Sequence, residues 1–377
     1  MTIICLVTND LSHDQRMDRI CTTLTEAGHQ LTLVGRLLPD SLDLPDRVYR
    51  QHRIRCRYNS GKRFYAEYNY RLVRELRRWP YDAICAVDLD TLLAGVRLTA
   101  GSHKKLVFDA HEWFSETPEV VKRPLIRGLW RGLGKALVPK TDARYTVGPM
   151  LAKQLEAEYG VSFATVRNAP RRRPSGVVPP PAADLPVTDR KVLLYQGMLN
   201  PGRGLETVIE ALAKLPECAL WLVGDGPLLG ALRRCGERWK CSDRIWFAGF
   251  RPPDELPAIT VRAWLGLNLL DAVSPSYYFS LANKSLDYLQ AGLPSVQMAF
   301  PEYVAIHEDF GCYVLLDGLA AGRLVGVITE LADDDQKYAA LVEGSRAGGE
   351  ALSWEREAAA LLRVWAAVLN VPPCTLP

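Results

Sequence analysis

Lys284, in "NKSLDYLQAGLPSV" (283–296), stands in the first turn of a helix that Leu286 and Leu289 space and that Gly292 and Pro294 end. Asn283 and Ser280 are N-cap residue types at its start. A cation in that place opposes the partial positive charge of the helix end, unless an anion uses both. A second motif indicates which anion that is. In "YQGMLNPGRGLETVIEAL" a strand turns through Gly197, Gly202 and Gly204 into a helix starting near Leu205. Glycines there let backbone amides approach an oxyanion closely, and Arg203 adds a bidentate donor. Taken alone, the loop reads equally well as a Gly-rich turn with a solvated arginine. Beside Lys284 it suggests a diphosphate.

Other strand-end loops carry further candidates. Gly224, Asp225 and Gly226 in "VGDGPLLG" nearly spell a dinucleotide fingerprint, but the third glycine comes one position late, and a turn lining the same site is the better reading. "FDAHEWF" puts His111 and Glu112 after a strand, where the histidine can serve as a base, bond a hydroxyl or cap a helix. In "AVDLDT", Asp88 and Asp90 imitate a metal-binding pair, yet Asp90 serves as well to cap the helix "TLLAGVRL", and no metal is expected. Asn9, Asp10, His13, Asp14 and Arg16 follow the first strand and would face the same cleft or its rim. In "RPLIRGLWRGLGKALVPK", Arg127, Arg131 and Lys135 recur every four residues beside Leu129, Trp130 and Leu133. Such a helix can lie on an anionic membrane, although packing its apolar side on its own domain is commoner.

The elements that position these residues alternate along the whole chain. "IICLVT", "LTLVGR", "AICAV" and "KLVFDAH", then "KVLLYQG", "ALWLVGDG", "RIWFAGF", "AWLGLNLL" and "LPSVQM", are short apolar runs separated by amphipathic segments, the pattern of βαβ units. The α/β fold class follows. A proline-rich stretch, 169–187, divides a first Rossmann-like domain (1–168) from a second (188–353), and 354–377 holds an amphipathic helix suited to packing across the boundary. In open parallel sheets ligands bind beyond the carboxyl ends of the strands, so both sets of loops are expected to open into one cleft.

With 377 residues, 48% hydrophobic and 24% charged, the chain has the composition of an ordinary globular protein, and a net charge of +3 gives no reason to expect nucleic acid. Nine scattered cysteines without a C-x-x-C suggest reduced thiols, and "IICLVT" directly after Met1 reads as a strand rather than a signal peptide. A cytoplasmic protein is expected, at the inner face of a membrane if the basic helix binds there.

These motifs, in this order, resemble the GT-B glycosyltransferases of the large retaining family 4. "SLANKSLDYLQAGLPSV" is similar to the family's donor-binding helix, "YQGMLNPGRG" to its phosphate loop, "LWLVGDGP" to the next strand turn, "FDAHEWF" to the strand-end histidine loop and "TEAGHQLTLVGR" to its first helix and second strand. The resemblance implies two Rossmann-like domains facing across a cleft, with the C-terminal helix crossing back. It also implies metal-independent sugar transfer, with retention, from a nucleotide-diphosphate sugar bound as co-substrate by the second domain. The acceptor, a saccharide, lipid-linked sugar or protein, would be held mainly by the first domain, in bacterial glycan or glycoconjugate synthesis. Lys284 and Arg203 would hold the diphosphate with Gly197, Gly204, Gly224, Asp225, Gly226 and Asn283, Asp287 would bind the ribose, and His111 would sit near the transferred sugar as a third catalytic group. Asn9, Asp10, Arg16, Asp90 and Glu112 would line the acceptor side. The sequence departs from the family pattern at Phe279, where a glutamate is common, at Met198, where an arginine is, and in "SHDQRM", where Arg16 is the charge available in place of two glycines. A catalytically inactive binding protein and a nucleotide-sugar epimerase of the same fold are the alternatives.

Overall fold

The computed structural model describes residues 1–172, 180 and 184–370. The chain forms two compact units, Met1–Arg167 with the segment from Glu355 onward, and Asn168–Trp354. The first holds seven strands: β1 (Thr2–Leu6), β2 (Gln30–Leu37), β3 (Arg50–Arg55), β4 (Ala83–Val87), β5 (Lys105–Ala110), β6 (Ala143–Thr146) and β7 (Ala164–Thr165). They pair in parallel in the order β3-β2-β1-β4-β5-β6-β7. β4 is buried at every position, as a central strand covered on both faces must be. β3, "RQHRIR", escapes a reading by hydrophobicity because it lies at the sheet edge and buries only Ile54.

One face of this sheet carries the helices Gly61–Leu76, Asp88–Thr99 and Pro124–Leu137, which set Phe64, Tyr68, Leu92 and Leu137 against Ile4, Ile84 and Phe108. The helix Trp354–Leu369 buries Leu361, Leu362, Trp365 and Leu369, the residues its spacing selects, and from Glu355 onward it belongs to the first unit.

The second unit holds β8 (Lys191–Gln196), β9 (Cys218–Val223), β10 (Ile245–Gly249), β11 (Leu265–Asn268), β12 (Ser295–Met298) and β13 (Tyr313–Leu316). Its parallel order is β10-β9-β8-β11-β12-β13. Each order reverses once, between β1 and β4 and between β8 and β11. Chains leaving neighbouring strands at such a reversal run to opposite faces of the sheet and open a crevice at the strand ends.

Of the expected linker, 173–179 and 181–183 lie outside the described residues. Beside them the Arg172 guanidinium donates to the Glu350 carbonyl (2.7 Å), and Arg251 pairs with Asp184. The eight described cysteines are free thiols, and Cys374 lies outside the described residues. Among the described residues no helix is long and apolar enough to cross a membrane.

Candidate functional site

In the second unit the loops after β8, β9 and β11 interlock through their backbones. The Asp271 N–H donates to the Gly202 carbonyl (2.9 Å) and the Leu199 N–H to the Asp225 carbonyl (2.9 Å). Gly204 takes φ +67° as the residue before the helix Leu205–Leu212, and a Cβ on it would lie 2.8 Å from the Leu269 carbonyl oxygen. Gly224 is tighter still. Its φ is +139°, and a Cβ there would sit 2.0 Å from the Gly197 carbonyl oxygen, so only glycine lets the two loops touch. Gly224→Ala is therefore expected to destabilise the second unit by about 1–3 kcal/mol, the usual range for forced overpacking, read as a lower denaturation midpoint. An unchanged midpoint would show that the loops can part freely. Asp225 closes its own turn, its carboxylate accepting the Gly226 N–H (2.7 Å).

On these loops stand the two cations. Lys284 is 8% exposed, with Nζ 4.4 Å from the centroid of the Tyr195 ring and close under Gly197. Arg203 lies over the Tyr277 ring at 4.7 Å and donates to its hydroxyl (3.2 Å), while its buried Nε has no hydrogen-bond partner. Neither forms a salt bridge among the described residues. Burial, and then the charge of Arg203, lower the Lys284 ammonium to a pKa of about 7, against the opposing pull of Asp287. Asp287, one turn along the helix, accepts a bond from Gln196 Nε2 (3.2 Å). Two cations, one lowering the pKa of the other, and a buried Arg203 Nε without a partner are an electrostatic cost that nothing among the described salt bridges offsets.

The first unit builds its strand-end cluster on a residue that sequence reading passed over. Asp109, the penultimate residue of β5, has no exposure, and it binds Arg16 through Oδ1 to Nη2 (2.7 Å) and Oδ2 to Nε (3.3 Å). Arg16 also donates to the Val166 carbonyl (2.8 Å). His111 Nε2 lies 3.1 Å from Asp109 Oδ2, and the His111 N–H donates to Asp88 Oδ1 (2.8 Å). Burial disfavours the imidazolium, but the Asp109 carboxylate outweighs it and raises His111 to about 9, so the ring is a cation at neutral pH. Asp88 holds its bond from the left-handed region, φ +55°, a strained conformation of the kind that clusters at functional sites. Burial raises the Asp88 carboxyl, and burial followed by the Asp88 charge raises Asp90 to about 7.

Several expectations are corrected. Arg16 is not a loop charge facing a ligand; the second residue of the helix Gln15–Glu26, it points back to the sheet, 4% exposed, as the counter-ion of Asp109. Asn283 and Ser280 do not cap the Lys284 helix. Ala282 holds the cap position, Asn283 is the first helical residue with its amide oxygen accepting from Asn168 (2.8 Å), and the Ser280 hydroxyl donates to the Tyr277 carbonyl. Asp90 does not cap its helix either, because the helix begins at Asp88; the Asp90 carboxylate accepts from the Thr8 hydroxyl (2.7 Å) instead. Asn9 and Asp10 build their own loop, Asn9 bonding Asp14 and the Leu11 N–H, and Asp10 accepting from Ser12 and Ser41. Glu112 is exposed beside His111. Among the described residues no group of three or more His, Cys, Asp or Glu is placed to hold a metal ion.

Comparison with known proteins agrees with this architecture in both units. The model of "Glycosyltransferase Family 4" matches residues 15–171, and that of "Glycosyl transferases group 1" matches residues 190–334. The chain belongs to the group 1, family 4 glycosyltransferases. A curated relative of this family 4 chain is the lipopolysaccharide core biosynthesis glycosyltransferase LpsD of Rhizobium meliloti, 29% identical over 205 residues, covering 53% of this chain and 54% of that protein. Another is the D-inositol 3-phosphate glycosyltransferase of Xylanimonas cellulosilytica, 28% identical over 214 residues, covering 54% of this chain and 46% of that protein. The family 4 chain thus spans about half the length of the curated relatives it matches. Among solved structures, the sucrose-phosphate synthase of Thermosynechococcus elongatus covers 98% of this chain and 99% of its own with a TM-score of 0.78 at 18% identity, which shows a shared GT-B fold.

Proposed function

We propose that the chain transfers a sugar from a nucleoside-diphosphate sugar, bound by the second unit, to an acceptor bound mainly by the first, in the synthesis of a bacterial glycan or glycoconjugate. The observation that carries this reading is the pairing of Lys284 and Arg203 at the β8/β11 reversal, two cations without a salt bridge among the described residues. A diphosphate supplies the missing charge. HepE of Anabaena, solved with UDP-glucose, shares the fold at a TM-score of 0.74 and 15% identity over 97% of this chain, which supports a nucleotide-sugar donor.

The chemistry follows from the charges. As the bond between the anomeric carbon and the β-phosphate oxygen breaks, negative charge grows on the diphosphate, and the charges of protonated Lys284 and Arg203 would stabilise it. His111, held protonated by Asp109, is a hydrogen-bond donor toward a sugar hydroxyl rather than a general base. Asp287 offers its carboxylate to the ribose hydroxyls. Retention of the anomeric configuration and independence from metal belong to this proposal through the family.

A second reading, a protein that binds the donor without transferring it, is favoured by Phe279 and Met198, apolar where the family commonly has a glutamate and an arginine. The deciding experiment is a thermal-shift screen of nucleoside diphosphates and their sugars, followed by an NMR time course of the best donor with and without acceptor. A ligand present at 100 times its dissociation constant stabilises by about 2.7 kcal/mol. Absence of a shift with every nucleotide would remove the donor assignment. A shift without transfer to any acceptor would establish the binding protein, and conversion of the donor alone would establish an epimerase.

A further inference from the structure

The second unit leaves large apolar side chains in solvent on the loops that carry its two cations. Met198 is 57% exposed, Val273 40% and Tyr278 38%. Met198 follows Gly197, and its carbonyl accepts from the hydroxyl of Tyr195 (2.7 Å), the ring that carries Lys284. Val273 lies across Gly202, where an added Cβ would meet its Cγ2 at 3.7 Å and the Tyr277 ring at 3.8 Å. It thus stands beside the ring that carries Arg203. Tyr278 packs on Phe279 and on the buried Phe300 that follows β12, each at 5.0 Å between ring centroids.

These contacts give the site a direction. Asp287 and Lys284 stand one turn apart on the helix Asn283–Gln290, the charge of Arg203 reaches Lys284, and Arg203 rests on Tyr277 beside Val273. Along this chain of contacts the cations lie between Asp287 at one end and Val273 with Tyr278 at the other. A nucleoside-diphosphate sugar is itself a row of base, ribose, two phosphates and sugar. With the ribose on Asp287 and the phosphates on the cations, the sugar falls on Val273 and Tyr278.

That end of the site treats the two sides of a sugar differently. Asp271, exposed and without a salt bridge among the described residues, can accept from ring hydroxyls. Val273 can accept from nothing. A hydroxymethyl group laid against it leaves a hydroxyl without a partner, whereas a methyl group gains by leaving water.

We propose that Val273 and Tyr278 select the donor sugar, and that this sugar is a 6-deoxyhexose whose exocyclic methyl group rests on them. The proposal rests on the donor reading above and names the sugar class within it. A nucleobase would lie beyond the ribose, past Asp287, and the acceptor is held mainly by the first unit, so neither covers these two side chains.

The test is titration calorimetry of the full chain with matched pairs: UDP-6-deoxyglucose against UDP-glucose, dTDP-6-deoxyglucose against dTDP-glucose, and GDP-6-deoxymannose against GDP-mannose, each beside the free nucleoside diphosphate. In the series whose nucleotide binds, the deoxy sugar should bind about 10- to 100-fold more tightly than its partner, the range for one small group against an apolar wall. Val273→Thr keeps the shape of the side chain and offers the hydroxyl a partner, so it should remove that preference while leaving the free nucleotide's affinity and the melting curve unchanged. Tyr278→Phe, which keeps the ring, should retain the preference. Equal affinity within the pair, tighter binding of the hydroxylated sugar, a preference that survives Val273→Thr or is lost in Tyr278→Phe, or weaker binding of the free nucleotide by Val273→Thr would overturn the proposal. A nucleoside diphosphate that binds in those cases still upholds the donor reading. If none binds, both fall.

Discussion

Asp109→Ala is expected to lower the stability of the first unit by about 3–5 kcal/mol, the effect of removing one member of a buried ion pair and leaving the other charge without its partner. Arg16, 4% exposed, would keep only the Val166 carbonyl of the bonds described above, and His111 would lose the carboxylate that keeps it protonated. Hydrogen exchange of first-unit peptides against denaturant reads the loss where it occurs, without assuming that both units unfold together. The double variant Arg16→Met, Asp109→Leu should recover much of the stability, because an apolar pair leaves no buried charge. A midpoint for Asp109→Ala within about 1 kcal/mol of wild type would mean that water reaches the cluster and screens it.

The same cluster sets a pH dependence. The Asp109 carboxyl, its burial outweighed by Arg16 and His111, is lowered below 3.8, so its contribution is complete above that value and is lost as pH falls through the folded pKa. His111 is raised from 6.5 to about 9, so its contribution is complete below 6.5 and is lost as pH rises through 9. Between about pH 4 and 6.5 both contribute in full.

What the sequence could show of this molecule depended on where a residue's reason for being there lies. Fully buried parallel strands such as "AICAV" and "ALWLV" announce themselves, because a strand covered on both faces must be apolar throughout. β3 and the two-residue β7 do not, since an edge strand needs few buried side chains and a short one has no period. Lys284 and Arg203 were legible because a cation at a helix start and a Gly-rich strand exit are local oddities with a local cause. Arg16 and Asp109 are 93 residues apart, and their bond is a fact of tertiary structure. A signal existed even so: the aspartate in "KLVFDA" is an ionisable group inside a buried strand, which demands a counter-ion somewhere in the chain. Tyr195 and Tyr277, which carry Lys284 and Arg203 on their rings, left no such mark, because an aromatic residue near a strand or helix end is ordinary core composition.

Lys284→Ala is expected to weaken binding of a nucleoside diphosphate by about 10- to 100-fold, the range for a hydrogen bond to a charged group at 1.5–3 kcal/mol. Its effect on the free protein should have the opposite sign. With the folded pKa lowered from 10.5 to about 7, the unfolded chain holds the proton more firmly between those values, and stability therefore rises with pH across that window. At neutral pH the buried ammonium is a cost to the empty protein, so Lys284→Met should raise its melting temperature while abolishing the nucleotide shift. Binding should also take up a proton, since the diphosphate favours the charged lysine: about half a proton at pH 7 and more at pH 8, with affinity falling as pH rises through that range. Calorimetry in two buffers of different ionisation enthalpy measures this uptake directly, and it should vanish in Lys284→Met. If that variant is less stable than wild type, or if nucleotide affinity is the same at pH 6 and pH 9, the lysine is already compensated and the anion belongs elsewhere.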